Sequence, residues 1–404
     1  MDIYGGSESG TASRKGYDMG HILKSTRCTG CGACSLVCPM KAISMQQNDE
    51  GFLYPETDES KCIDCGKCIN VCKIDSDKFR KPFIIAKYGR SLNLAYLRNS
   101  SSGGAFSSIV KAISRPGVHV FGAAYFPDER SIKITSTETV PLDRLMRSKY
   151  IDSYTSDSYV KAKNCLAAGE NVVYSGAPCQ VDGLLHFLGN TPKDNLFTID
   201  FVCHGMPSRK YFEEHVIHLE EIYGVRVVDV NFRPKTLGWT CMSIIYTFSN
   251  GKQKEFAAYA DPYFKGFLED LFLRESCYAC EYRLQHVSDI TIADFWSHIY
   301  LKNKIRNDEK GLSLVIANSQ RGVELLESLK KGHMILNDID NEFISRHILR
   351  QKKWSPALSA SRAAFLDQVK NIGFEKASAG YMKSRNYIQM KFILKKLIFG
   401  GKIW

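Results

Sequence analysis

The sequence predicts a small α+β module, then an α/β domain with a mixed sheet, then a helical tail. Three observations predict this order. Two evenly spaced runs of cysteine fall within residues 20–80. Apolar runs of strand length alternate with helical patterns from 83 to 345. The end, 346–404, is basic and helical in its periodicity.

The chain has 404 residues, 44% apolar and 24% charged, which suits a globular protein of two or three domains. Residues 1–19 are polar and rich in Gly and Ser, and read as a disordered tail without the apolar core of an export signal. No run approaches the ~20 apolar residues of a membrane span. The expected location is therefore cytoplasmic. Fourteen cysteines, grouped in CxxC units in a long chain of this kind, point to metal ligation rather than disulfides. The formal charge is +11. Twelve ligating thiolates and three oxidised cluster cores of about +2 each would bring it to roughly +5. A mildly basic surface suits an acidic protein partner. It does not suit nucleic acid, since no basic and aromatic interleaving accompanies it.

The first cysteine run is Cys28, Cys31, Cys34 and Cys38, and the second is Cys62, Cys65, Cys68 and Cys72. Three thiolates at this spacing wrap three corners of one cubane, and the fourth is carried across to the other. Cys28, Cys31, Cys34 and Cys72 are thus expected to hold one 4Fe–4S cluster, and Cys62, Cys65, Cys68 and Cys38 a second. Gly30, Gly32 and Gly66 let the backbone pass close to sulfide. A zinc site is the competing reading, but zinc usually takes two CxxC pairs rather than two runs of four. These residues resemble bacterial two-cluster ferredoxins, so residues 20–80 are expected to be ferredoxin-like. Lys73 stands where such proteins commonly have proline.

Four more cysteines sit beside predicted strands: Cys179 in SGAPCQ, Cys203 in DFVCHG, and Cys277 and Cys280 in SCYAC. Neighbouring parallel strands bring their following loops together, so these thiols could enclose a third cluster. They could equally be small buried side chains. Spacing leaves both open. The ordered set SSSGGAF, SKYIDS, SGAPCQ, VCHGMPS, RESCYAC and SDITIADFW resembles the family of beta subunits of deazaflavin (coenzyme F-420) hydrogenases and dehydrogenases, over about 85–340. The resemblance implies a third 4Fe–4S cluster on Cys179, Cys203, Cys277 and Cys280, beside a flavin. Cys165 and Cys241 read as ordinary thiols.

Ser101, Ser102, Gly103 and Gly104 precede an apolar helix, and bare amides at a helix start bind phosphate; a plain N-cap is the alternative. The resemblance implies that this segment cradles FAD and that Lys149 and Tyr150 contact it. A flavin would convert single electrons into the pairs most organic reductions need. NFRPKTLGW and the tail look like a bacterial branch of the family, some of whose members are similar to proteins encoded among polysaccharide-synthesis genes. Arg233, Lys235 and Trp239 could grip an anionic or planar substrate, with Asp294 and Trp296 lining the same cavity, or could be a solvated face with a packed tryptophan. His204 could donate a proton or hydrogen-bond a cluster sulfur. In the tail, Tyr387, Met390, Leu394, Leu397 and Ile398 can share one helical face beside Lys383, Arg385, Lys391, Lys395, Lys396 and Lys402. That face would either lie on an anionic membrane or pack on the body.

The sequence thus reads as an iron–sulfur flavoprotein oxidoreductase. Electrons from reduced ferredoxin or a similar acidic donor would pass through the clusters to FAD and on to an organic substrate. The alternatives are a non-catalytic electron-transfer subunit of a larger redox complex and a scaffolding member of a polysaccharide-assembly complex.

Overall fold

Two short helices, Ala33–Val37 and Lys67–Val71, each begin directly after a glycine in the left-handed region, Gly32 (φ 75°) and Gly66 (φ 67°). A Cβ at Gly66 would meet nothing within 4 Å, so the backbone angle alone calls for glycine there. Strands β1 (Ile43–Gln47) and β2 (Leu53–Thr57) pair antiparallel beside these helices. The computed structural model describes residues 25–74, 76–155, 157–296, 305, 308–349, 355–382 and 385–399. The expected 1–19 tail, Lys383 and Lys402 lie outside the described residues.

Next come β3 (Ile85–Ser91), β4 (Val118–Phe126), β5 (Ser131–Ser136), β6 (Asn171–Ser175), β7 (Leu196–Phe201), β8 (Val227–Asn231), β9 (Ser243–Phe248), β10 (Gln253–Ala257), β11 (Ile290–Asp294), β12 (Ser313–Ala317) and β13 (Met334–Asp338). Eight of them form one mixed sheet in the order β13-β3-β12-β11-β7-β6-β4-β5. Its centre, β4, β6, β7 and β11, is parallel, and β5, β12, β3 and β13 add antiparallel edges. Strands covered on both faces read as unbroken apolar runs; all five residues of β12, SLVIA, are buried. Because β6 and β7 are adjacent and parallel, the loops that follow them open at the same edge.

A second sheet, β10-β9-β8, is antiparallel. It joins the helix Arg209–Tyr223 in an aromatic core that includes Phe212, Phe232, Tyr246, Tyr263, Phe264 and Phe272. The helices Pro356–Ile372 and Phe374–Tyr381 close this core with Phe365 and Phe374. The tail therefore starts as part of the body. The final helix, Arg385–Phe399, docks through Phe392 near Ala257 and Ala260. Tyr387, Met390, Ile393, Leu394, Leu397 and Ile398 are exposed. No helix among the described residues is long and apolar enough to cross a membrane.

The cysteine-rich module is clamped to the sheet domain by a buried charge cluster. Asp152 accepts from Arg209 and from Arg274, each at 3.0 Å. Arg274 also donates to the Leu53 carbonyl at 3.1 Å and lies over the ring of Phe52.

Candidate electron-transfer centres

Cys28, Cys31, Cys34 and Cys72 face one another closely enough to interact electrostatically. Cys38, Cys62, Cys65 and Cys68 line one pocket with Ala42 and Ile43. The crossing of Cys38 and Cys72 between runs is therefore present in the geometry. Main-chain amides point at sulfur: Gly30 donates to Cys28 Sγ at 3.4 Å and Ala42 to Cys38 Sγ at 3.3 Å. Gly30 (φ 67°) and Asp64 (φ 51°), each two residues past the first cysteine of its run, take the same left-handed turn.

The third set also converges. Cys179, Cys203, Cys277 and Cys280 line a cavity of about 650 Å³ between the module, the sheet edge and the helix Pro356–Ile372. Cys179 lies in the first turn of the helix Pro178–Leu188, after β6; Cys203 follows β7; and Met206 N–H donates to Cys277 Sγ at 3.3 Å. Burial pushes the Cys72 thiol up to about 11 and Cys179 up to about 12. Burial also raises Cys28, Cys34, Cys68, Cys203 and Cys277. Such thiols ionise only beside a cation, a role that the iron of a bound cluster would fill. Among the described residues, three donor atoms come within 4.8 Å of one another only at His119, Cys165 and Glu170.

The first and third sets are joined by one helix. Gly183, one turn on from Cys179, packs directly on Cys31: a Cβ there would stand 3.0 Å from Cys31 Sγ. Between the sets lies Lys73, only 3% exposed. Its ammonium donates to Tyr282 Oη at 2.7 Å, and Tyr282 donates to Asp182 at 2.6 Å. Burial opposes the Lys73 charge, but Tyr282, Cys179, Cys31 and Asp182 outweigh it and hold the ammonium protonated. The sequence marks Lys73 only as a departure from proline; its reach to Tyr282, 209 residues away, leaves no local signal.

The segment expected to cradle a flavin is engaged with the protein itself. Ser101 Oγ accepts from Ser148 N–H, Ser102 Oγ donates to the Leu312 carbonyl, and Gly103 N–H donates to Ser313 Oγ at 2.9 Å. A Cβ at Gly103 would lie 2.5 Å from the Ser313 amide, and one at Gly104 would lie 2.9 Å from Ser91 Cβ. These glycines let the turn press on β3 and β12. Lys149 is half-buried and donates to the carbonyls of Arg144 and Met146, and desolvation lowers its pKa well below the usual lysine range. Tyr150 stacks on Phe264 and Phe267. The helix Ala105–Ile113 starts at Gly104 without a side-chain cap, so Gly103 is the member of the segment whose amide is taken by a side chain.

The substrate-gripping candidates are likewise tied to one another. Arg233 donates to Tyr150 Oη and pairs with Asp294 at 3.1 Å, and Trp239 Nε1 donates to Asp294 at 3.0 Å. Trp239 stacks on Trp296, with centroids 4.6 Å apart. Lys235 donates to the carbonyls of Leu97, Ser102 and Lys310. His204 lies 2.8 Å from Asp270 at the rim of the cysteine cavity.

A family model for a 4Fe-4S dicluster domain matches residues 27–76, which contain the first two sets. The model for the C-terminal part of the coenzyme F420 hydrogenase/dehydrogenase beta chain matches residues 169–342, which contain the third. The chain belongs to the family of coenzyme F420 hydrogenase/dehydrogenase beta subunits. Among its relatives, one subunit of the F(420)H(2) dehydrogenase of Methanosarcina mazei is 22% identical over 332 residues, spanning 77% of this chain and 87% of that one. One subunit of an NADH-quinone oxidoreductase of Geobacter metallireducens is 34% identical over 79 residues, 17% of this chain and 60% of that one. A chain of the F420-reducing NiFe hydrogenase complex from Methanosarcina barkeri superposes with a TM-score of 0.47 at 14% identity, covering 73% of this chain and 94% of that one. As a member of this family, the chain has an oxidoreductase role built on iron–sulfur centres.

Proposed function

We propose that the chain is a three-cluster electron carrier that serves as a subunit of a larger oxidoreductase. Its cysteine sets would act in the spatial order Cys38/62/65/68, then Cys28/31/34/72, then Cys179/203/277/280. The observation that carries this reading is the contact of Gly183, on the Cys179 helix, with Cys31. It brings the backbone of the Cys179 helix directly against a ligand of the first set, and short gaps are what single-electron transfer needs. Bound clusters supply one-electron transfer at low potential.

The chain's own residues do the rest. Amides of Gly30, Ala42 and Met206 aim at ligand sulfur, Lys73 offsets negative charge between two sets, and Asp152 with Arg274 fixes their spacing. Cys65 is exposed, so the set containing it is the natural point of exchange with an acidic redox partner such as reduced ferredoxin.

Delivery to an organic substrate through FAD is the finer reading, and the start of the helix Ala105–Ile113, which no side chain caps, is where its phosphates would sit. Anaerobic purification with iron and flavin analysis tests both. About twelve irons per chain are expected, falling to about eight in Cys277→Ser. Eight irons in the wild type would overturn the three-cluster reading. FAD released on denaturation would support the flavoprotein reading.

A further inference from the structure

The sheet has a second group of ligand-type side chains, at the edge opposite the cysteine cavity. His119 stands near the amino end of β4, and Glu170 immediately precedes the parallel neighbour β6. Cys179 follows the carboxyl end of that same strand. Cys165 lies in the last turn of the helix Ser158–Ala167. That helix ends on Gly169 (φ 77°), with Gly169 N–H donating to the Leu166 carbonyl at 3.1 Å and Glu170 N–H to the Cys165 carbonyl at 2.9 Å. This glycine-terminated stop turns the chain back and sets Glu170 beside Cys165.

His119 Nε2 lies 3.1 Å from Glu170 Oε2, and its Nδ1 lies 2.9 Å from Glu138 Oε1. The ligand atoms of His119, Cys165 and Glu170 are all within 4.8 Å of one another. We propose that His119, Cys165 and Glu170 bind one zinc ion, with Glu138 holding the imidazole in place.

The donor set selects the metal. One thiolate, one imidazole and one carboxylate suit zinc, whereas calcium and magnesium take oxygen ligands throughout. Bonds of about 2.0–2.3 Å at the tetrahedral angle put ligand atoms about 3.3–3.8 Å apart, so the three donors need to close by about 1.5 Å at most. Metal on Nε2 leaves Nδ1–H to donate to Glu138, the carboxylate–histidine–metal arrangement that fixes ring orientation and tautomer. Water completes the fourth position. Cys165, a lone thiol in the sequence, is thereby joined with His119 and Glu170.

The site does not depend on the cluster reading, and metal analysis separates the two because the cysteine sets hold iron. The full chain, purified anaerobically, is equilibrated with zinc chloride, dialysed, and assayed for zinc and iron by mass spectrometry. Zinc at one per chain is expected, lost in Cys165→Ser and in His119→Gln with iron unchanged. Glu138→Gln should retain zinc but release it at a chelator concentration about 10- to 100-fold lower. If Cys165→Ser also loses iron, Glu170→Gln, at an exposed position, carries the same test. Less than stoichiometric zinc in the wild type, or equal zinc in wild type and variants, overturns the proposal.

Discussion

Replacing Lys73 with methionine removes a charge and keeps the stem. The ammonium is buried, and its electrostatic partners include Cys31 of the first set and Cys179 of the third. A unit charge about 8 Å from a cluster, at an effective dielectric near 20, is worth about 2 kcal/mol. For a one-electron couple that is about 90 mV. A cation favours the more negative, reduced state, so Lys73→Met should lower the midpoint potential of the Cys28/31/34/72 centre by that order. The Cys38/62/65/68 centre, lined by other residues, should move far less. Redox titration followed by electron paramagnetic resonance resolves the individual centres. Lys73→Arg keeps the charge and should restore the wild-type value. Unchanged potentials in Lys73→Met, with all clusters retained, would refute the idea that this ammonium tunes the centres.

Gly183→Ala should press a methyl group onto Cys31 Sγ, and overpacking of this kind costs about 1–3 kcal/mol; iron analysis should show the Cys28/31/34/72 centre depleted before the others. Asp152→Ala leaves Arg209 and Arg274 buried without their shared carboxylate, a loss of about 3–5 kcal/mol that anaerobic denaturant unfolding should register. His215 lies between Asp261 and Glu375; burial works against its charge, but the two carboxylates win and raise its pKa to about 9. Its stabilising effect is complete below the ordinary imidazole value of about 6.5 and fades as pH rises through about 9. Unfolding midpoints should therefore drop between those limits, and Glu375→Gln should weaken the drop.

The sheet centre is legible because β6, β7 and β11 are short runs rich in apolar and β-branched residues, and the cysteine sets because their spacing is set by cubane geometry. The antiparallel sheet β8–β10 is not. VVDVN and QKEFA are five-residue strands with mixed faces, and their buried side comes from a shared aromatic core that reaches from Phe212 to Phe365 and Phe374, over a hundred residues later. The Ser101–Gly104 turn is legible only as a helix start. A serine–glycine helix start looks the same whether or not its amides face a phosphate, and the bond of Gly103 N–H to Ser313, more than two hundred residues away, leaves no local signal. The tail's periodicity reveals its exposed helical stripe. Phe392, outside that stripe, is the residue that docks.

The three cysteine sets differ in how deeply they sit. Cys65 is open to the surroundings, while Cys179, Cys203, Cys277 and Cys280 line a recess behind the module. Air should therefore attack from the rim inward, bleaching the outermost centre while its neighbours survive. The member that meets partners most easily is also the one a cell must repair most often.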